Sequence, residues 1–174
     1  MRTALDLLTQ YAAYHRDRRN IVTHFVGVPM IVFAVGVLLA RPSFTVDGIT
    51  LTPAWIVYAI VVLWYLSRHI VLGIAVSAVV GVLIWLGHQV AGGSTAGWLA
   101  WGIGFFVVGW VIQFIGHYYE GRKPAFVDDL VGLLVGPMFV VAEWMFALGW
   151  NREMLKTIES RVGPTHLRDL AHPA

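Results

Sequence analysis

The stretch IVLGIAVSAVVGVLIWLG, residues 70–87, contains no charged side chain and is apolar along its whole length. A helix needs about 20 mostly apolar residues to cross the hydrocarbon layer of a bilayer, which is roughly 30 Å thick. The length and composition of this stretch therefore predict a membrane-spanning helix.

The composition of the whole chain extends this prediction. Of its 174 residues, 58% are hydrophobic and only 13% are charged, and the mean hydropathy is +0.72. A soluble domain has about 45–50% apolar and about 25% charged residues. The eight tryptophans also suit a membrane protein, because the indole ring favours the boundary between lipid and water. We predict an all-α integral membrane helical bundle that forms a single domain over residues 1–174.

Four further apolar segments occur at about residues 21–40, 51–67, 98–116 and 130–150. Short loops rich in Lys and Arg stay on the cytoplasmic side of a membrane, and both ends of this chain are basic. Because five full crossings would separate the two ends, we predict four crossings and one re-entrant segment. The first and last segments are the candidates, since Pro29 and Pro137 interrupt them and proline removes a helical hydrogen bond.

The two ends of the chain are predicted to be amphipathic. Residues 1–20 form an interfacial segment with a helix at 4–15, whose apolar face is expected to lie on the membrane surface. Asn20 is the predicted N-cap of the bundle at residues 21–150, and residues 151–174 form a polar cytoplasmic tail. We expect the protein in the cytoplasmic (inner) membrane if it is bacterial, or in the endoplasmic reticulum if it is eukaryotic.

Several chemistries are excluded by the residues present. The chain has no cysteine, so disulfides, thiol nucleophiles and thiolate metal ligands are excluded, and any metal must be held by nitrogen and oxygen atoms. The serines lack a nucleophile-elbow motif, and no phosphate-binding or dinucleotide-binding glycine motif is present. Nothing in the sequence resembles a nucleic-acid-binding motif, so membrane lipids are the expected surroundings and nucleic acid is not an expected partner.

The seven histidines fall into groups once the segments are placed. Four of them share the predicted cytoplasmic face, namely His15, His24, His69 and His117. A break near the arginine cluster after residue 15 would let the first two rings point into one pocket. His88 lies at the opposite end of its segment, and His166 and His172 lie in the tail, where solvated side chains are expected. Taken singly, a histidine at a membrane boundary is more often a hydrogen-bonded interfacial residue than a metal ligand.

A second polar group follows an apolar segment in the stretch QFIGHYYEGRKPAF, residues 113–126. Gln113, His117 and Glu120 have the spacing i, i+4 and i+7, which places them in one stripe if the helix continues. A histidine and a carboxylate three residues apart on a helix can bind one metal, or the carboxylate can hold the imidazole. The alternative is a polar helix end at the headgroups, with Glu120 paired to Arg122 or Lys123. A site of nitrogen and oxygen ligands suits ferrous iron or zinc.

Three motifs together resemble a known membrane family. They are YHRDRRNIVTHFVGVP at residues 14–29, WVIQFIGHYYEGRKPAFVDDL at 110–130 and GPMFVVAE at 136–143. They are similar to the iron-dependent 2-hydroxy fatty acid dioxygenases, whose fungal members act in phytosphingosine breakdown at the endoplasmic reticulum. The resemblance covers most of residues 8–150.

The resemblance implies a site and a reaction. Its motif positions fall on His15, Asn20, His24, Gln113, His117, Glu120, Arg122 and Pro124. The implied reaction uses Fe(2+) and O2 to convert a 2-hydroxy fatty acid into a fatty acid one carbon shorter and CO2. On this basis we hypothesise that His15, His24 and His117 hold the iron near the cytoplasmic face.

The resemblance also implies roles for the other motif residues near the metal. Arg122 is expected to neutralise the substrate carboxylate, and Gln113 and Asn20 are expected to be catalytic-site residues. Glu120 would either bind the metal or orient His117. The fungal pattern also points to His88 as a fourth ligand, although its predicted position is on the far side, and His69 is a further possibility. The rival interpretation is a non-catalytic membrane protein, such as a bis-histidine haem protein, a small transporter or a lipid-binding scaffold.

Overall fold

Helices make up 74% of the residues that the structure describes. The computed structural model describes residues 2–171. The described helices are α1 Ala4–Ala12, α2 Arg18–Ala40, α3 Pro53–Arg68, α4 Ile70–Ala91, α5 Thr95–Glu120, α6 Gly132–Ala147 and α7 Arg152–Val162. Helix α5 contains one wider π-helical turn at Ala100–Gly104 between Thr95–Leu99 and Phe105–Glu120. The predicted all-α membrane bundle is confirmed.

One short hairpin interrupts the helices. Strand β1, Phe44–Val46, pairs antiparallel with β2, Ile49–Leu51. The connecting Asp47 and Gly48 have φ angles of 50° and 79°. A two-residue hairpin turn needs positive φ at both positions, and Asp-Gly is among the sequences that adopt it most readily. Residues 41–50 lie between two of the predicted apolar segments, so the hairpin is a finding of the structure.

Three helices are long and apolar enough to cross a membrane, namely α2, α4 and α5. Helices α6 and α7 meet at 117° and would form a fourth span if they count as one broken segment, whereas α3 is a shorter apolar helix. The predicted interruptions at the two prolines are wrong. Helices α2 and α6 continue through Pro29 and Pro137, as membrane helices can when neighbouring groups satisfy the freed backbone carbonyls.

The bend in the last segment lies after α6. Gly149 and Asn151 have φ angles of 88° and 41°, both in the left-handed region. The Asn151 side chain then accepts a hydrogen bond from the backbone N–H of Met154 and caps α7. The chain therefore turns between the two helices and the proline has no part in it.

The described chain forms two units. The first contains residues 2–26 and 111–171, and the second contains Gly27–Trp110. In the first unit, helix α1 begins at a Thr3–Asp6 capping box and packs against α6 and α7. Its buried face consists of Ala4, Leu7, Leu8, Tyr11 and Ala12. The expectation that this face lies on lipid is corrected, because other helices of the protein cover it.

The start of α2 also differs from the prediction. The helix begins at Arg18, and Asp17 takes the capping position: its carbonyl accepts from Ile21 N, and its side chain accepts from Arg19 N at 2.8 Å. Asn20 is therefore inside the first turn and is free for a different role. The break between α1 and α2 is the fold-back that the sequence predicted.

Candidate metal centre

Three buried histidines from the two conspicuous motifs meet in the first unit. His15 follows α1, His24 lies in the second turn of α2, and His117 lies in the last turn of α5. Each offers a ring nitrogen, and these three nitrogens lie within 4.8 Å of one another. The residues are 0%, 2% and 6% exposed. Their arrangement is that of a group that can hold a metal ion.

Two backbone carbonyls fix the orientation of the first two rings. Nδ1 of His15 lies 2.7 Å from the Tyr11 carbonyl oxygen, and Nδ1 of His24 lies 2.8 Å from that of Asn20. A carbonyl can only accept, so each Nδ1 must carry the proton in the neutral ring. The other nitrogen of each ring, Nε2, is then a bare acceptor, which is the form that binds metals.

These two bare nitrogens face each other. The Nε2 atoms of His15 and His24 are 3.0 Å apart. Two lone pairs at that distance repel unless a proton or another cation lies close to both. Burial, followed by the charges of the neighbouring His24 and His117, holds the pKa of His15 well below its ordinary range. The pair is therefore suited to a metal cation.

Buried polar atoms without partners surround the histidines. His117 Nδ1, Asn20 Oδ1 and both amide atoms of Gln113 have no hydrogen-bond partner among the described residues. Such atoms are uncommon in folded proteins and each costs free energy when left unpaired. Their concentration around one point fits a site completed by a metal ion and the ligands it brings.

An aromatic wall supports the cluster. The Tyr11 ring stacks on His15 at 4.1 Å between ring centres, with an interplanar angle of 5°. Phe139 of α6 lies against both rings, at 5.4 Å from His15 and 5.1 Å from Tyr11. These contacts fix the plane of the imidazole and keep the cluster dry. The sequence alone does not single out either aromatic, because both also fit the apolar faces of their helices.

Glu120 holds the backbone turn that carries His15. Its carboxylate accepts from the backbone N–H of Arg16 at 2.9 and 3.0 Å, from that of Asp17 at 2.8 Å and from Asn20 Nδ2 at 3.0 Å. Neither predicted alternative describes it, because these contacts occupy both oxygens and none of them is to His117. Glu120 therefore positions the turn, and Asn20 links it to α2.

The expected ion pairs of Glu120 at the headgroups are also wrong. Lys123 pairs with Asp128, and Arg122 donates through Nη1 to the Ala13 carbonyl at 2.6 Å. Arg122 is exposed and lies at the edge of the first unit. The predicted stripe of Gln113, His117 and Glu120 is buried throughout.

Gly116 allows the two motifs to approach. A Cβ atom at this position would collide with the side chains of Thr23 and Asn20. Only glycine therefore lets the last turns of α5 lie directly against the start of α2. The histidine on the next residue is brought close to His24 by this contact.

A C-terminal strap, residues 163–171, ties down the same turn. Its His166 pairs with Asp17 in a parallel β-bridge. Arg18 N donates to the His166 carbonyl and His166 N donates to the Arg16 carbonyl, each at 2.9 Å. Asp17 also accepts from Arg168 N and from the Arg19 guanidinium. Burial raises the pKa of Asp17, but these donors outweigh it and lower the value to about 2.

The other histidines lie elsewhere. His166 has an exposed side chain, as expected, although its backbone supports the turn. His69 caps α4, and His88 stacks on Trp55 and contacts Thr52 Oγ1 at 2.9 Å, both within the second unit. Among the described residues, neither joins the three-histidine group. His172 lies outside the described residues.

Comparisons with known proteins identify one family and one similar relative. A family model described as Mpo1-like, 2-hydroxy-palmitic acid dioxygenase Mpo1-like, matches residues 1–148. The chain is also similar to 2-hydroxy-palmitic acid dioxygenase MPO1 of Saccharomyces cerevisiae (strain ATCC 204508 / S288c), with 30% identity over 166 residues, 89% of this chain and 88% of the relative. No solved structure matches. All three clustered histidines lie inside the region matched by the family model.

Proposed function

The chain belongs to the Mpo1-like family, and from this membership we propose that it is an Fe(2+)-dependent dioxygenase of 2-hydroxy fatty acids. The reaction consumes the acid and one O2 and yields a fatty acid one carbon shorter, CO2 and water. The bond between the carboxyl carbon and the hydroxyl-bearing carbon breaks. All four electrons that reduce O2 come from the substrate, so no further reductant is required.

The pair of facing Nε2 atoms carries the proposal of a metal. Together with His117, the side chains of His15 and His24 would hold the ion as neutral imidazoles. Bound iron would supply the redox chemistry that lets O2 react with an organic acid, which zinc, having no redox chemistry, cannot supply. The choice of iron thus follows from the reaction, while the choice of ligands follows from the geometry.

Two side chains near the cluster are proposed to bind the substrate. The unpartnered amide of Gln113, one turn deeper than His117, can donate to the substrate hydroxyl or carboxylate and accept from the hydroxyl. Arg122 can neutralise the carboxylate from the polar end of α5. Asn20 and Glu120 would act through the turn that they hold. The acyl chain would lie among the apolar helices.

A haem protein is disfavoured by the spacing of the rings. Haem would need two histidines on opposite faces of a porphyrin. Here the ring centres of His24 and His117 are 5.3 Å apart, and both lie within 4.9 Å of the His15 ring centre. That spacing suits a single small ion. A strong Soret band in the purified protein would contradict this conclusion.

Product analysis tests the function directly. Purified protein loaded anaerobically with Fe(2+) is given O2 and 2-hydroxypalmitic acid labelled at the carboxyl carbon. We expect labelled CO2 and the saturated acid with one carbon fewer, and we expect palmitic acid without the hydroxyl to be left unchanged. The proposal would be refuted if no labelled CO2 were released, or if the His117→Ala variant converted the acid as well as the wild type does. A transporter or scaffold would give neither product.

A further inference from the structure

A basic cavity of about 690 Å³ lies beside the strap in the first unit. Its walls come from the end of α5, the end of α7, the turn before α2 and the strap. Its charged lining consists of Arg16, Arg122, Arg161, Arg168, Glu120 and Asp169. The volume is within the range of about 300–1,000 Å³ that is typical of ligand pockets. Four cations against two carboxylates make this cavity positive.

The two carboxylates form no ion pair within 4.0 Å with the cavity arginines in the described part of the chain. Both oxygens of Glu120 are occupied by N–H donors of the turn and by Asn20. Asp169 accepts from the backbone N–H of Ala171. The positive charge is thus available to a ligand.

Arg16 forms no ion pair in the described part of the chain. Burial lowers its pKa, and the charges of Glu143, Glu120 and Glu159 offset part of this effect. Arg16 is 6% exposed, and its guanidinium donates only to neutral carbonyls, through Nε to Ala12 at 2.8 Å and His15 at 3.0 Å, and through Nη1 to Gly163 at 2.9 Å. A buried charge is costly unless an opposite charge compensates it. Arg161 and Arg168 also have guanidinium groups that donate to no residue in the described part of the chain.

Gly121 shapes the wall of the cavity. It has a φ of +70°, a conformation that favours glycine, and a Cβ atom there would collide with the Arg168 guanidinium. The missing side chain therefore makes room for Arg168 to lie over the backbone directly after α5. This arrangement presents the guanidinium group to the cavity without an acidic partner.

We propose that the basic cavity binds the phosphate group of an anionic phospholipid. Guanidinium groups bind phosphate oxygens through paired, charge-assisted hydrogen bonds. The cavity lies at the polar end of a membrane-length helix, where lipid headgroups are found, and basic segments at that level attract anionic lipids. The cavity shares Arg122 and Glu120 with the site proposed for the dioxygenase, but the lipid proposal does not rest on the dioxygenase reaction.

Lipid retention tests the site in the full-length protein. Three proteins are compared: the wild type, the cavity variant Arg161→Gln/Arg168→Gln and the control Arg152→Gln/Lys156→Gln. Each is extracted from membranes that contain phosphatidylglycerol and phosphatidylcholine. The lipids that stay bound are counted by native mass spectrometry. The control removes two charges from the same end of the chain but outside the cavity lining. We expect the cavity variant to retain about tenfold less phosphatidylglycerol, while the control retains as much as the wild type. Equal retention in all three proteins would overturn the proposal.

A further variant and a phosphate titration complete the test of the lipid site. Gly121→Ala displaces Arg168 without changing any charge, so it should also reduce retention, even if the double variant proves unstable in detergent. Inorganic phosphate titrated into delipidated protein distinguishes the source of the phosphate. Weak binding of the free ion beside tight retention of phosphatidylglycerol is expected. Tight binding of free phosphate with no preference for the anionic lipid would overturn the assignment to a membrane lipid.

Discussion

At the scale of single residues, the backbone determines which histidine nitrogen is offered to a metal. The carbonyls of Tyr11 and Asn20 each accept from an Nδ1–H, which leaves the Nε2 atoms of His15 and His24 bare and 3.0 Å apart. The sequence predicted that these histidines share a face with His117, since all three flank apolar segments on the same side. Their tautomers could not be predicted, because they depend on contacts that form only in the folded chain.

Substitution of single histidines should distinguish the proposed metal ligands from an exposed histidine. We predict that His24→Ala and His117→Ala each lose most of the bound iron, because two imidazoles hold the ion far more weakly than three. His166→Ala, which removes an exposed ring, should retain the wild-type iron content. Iron per protein, measured by elemental analysis after purification, checks this. Retention of iron by both buried variants would exclude these residues as ligands.

Gln113 should affect turnover without affecting the metal. Its amide is 3% exposed and has no described hydrogen-bond partner, so Gln113→Leu removes an unpaired polar group and should not lower thermal stability. If the amide binds substrate, kcat/KM should fall by about tenfold to a hundredfold while iron content stays constant. A variant that loses iron, or one with unchanged kcat/KM, would contradict the proposed role.

At the scale of elements, the turn between α1 and α2 is held from two sides. Glu120 of α5 binds its backbone from one side, and the strap binds Asp17 from the other. The break in the chain was predictable from the arginine cluster. The strap was not, because a backbone bridge between Asp17 and His166 leaves no hydrophobic pattern in either segment. Similarly, the apolar face of α1 looks the same in sequence whether lipid or α6 covers it.

Asp17→Asn should loosen this turn. The change removes the ion pair with Arg19 and weakens the bond from Arg168 N, so we predict a loss of about 1.5–3 kcal/mol in unfolding free energy. The folded pKa of about 2 is below the ordinary value of 3.8. The stabilisation is therefore complete above about pH 4 and is lost as the pH falls towards 2.

Thermal unfolding in detergent across this pH range measures the effect. The difference in stability between wild type and Asp17→Asn should shrink as the pH falls. A constant difference from pH 4 to pH 2 would mean that the charge of Asp17 does not stabilise the fold. The matched control is Asp169→Asn, whose carboxylate accepts from the nearby Ala171 N–H within the strap and should give a smaller loss.

At the scale of the whole molecule, composition was sufficient to predict a helical membrane protein. Three helices meet the length and hydropathy of a span, and the bent α6–α7 pair supplies the irregular segment. The sequence offered the segments with Pro29 and Pro137 as the two candidates for this irregularity. The observed bend instead lies at Gly149, because a proline inside an otherwise apolar membrane helix need not break it. The orientation in the membrane stays a prediction from the distribution of Lys and Arg.

Labelling of single cysteines tests that orientation. The chain has no native cysteine, so Lys156→Cys and Ala96→Cys each introduce one thiol without background. Both positions are exposed. We predict that a membrane-impermeant maleimide added to the outside of intact cells labels Ala96→Cys and leaves Lys156→Cys unlabelled until the cells are opened. The reverse pattern would place the basic ends outside and refute the cytoplasmic placement of the metal site.

Three histidines are proposed to hold the iron that cleaves a 2-hydroxy fatty acid. The most direct measurement is O2 uptake and CO2 release by detergent-purified protein of known iron content, supplied with 2-hydroxypalmitic acid. We predict about one iron per chain and one CO2 for each O2 consumed, with both gas signals lost in His117→Ala. Protein that contains no iron, and that consumes no O2 after anaerobic addition of Fe(2+), would contradict this proposal.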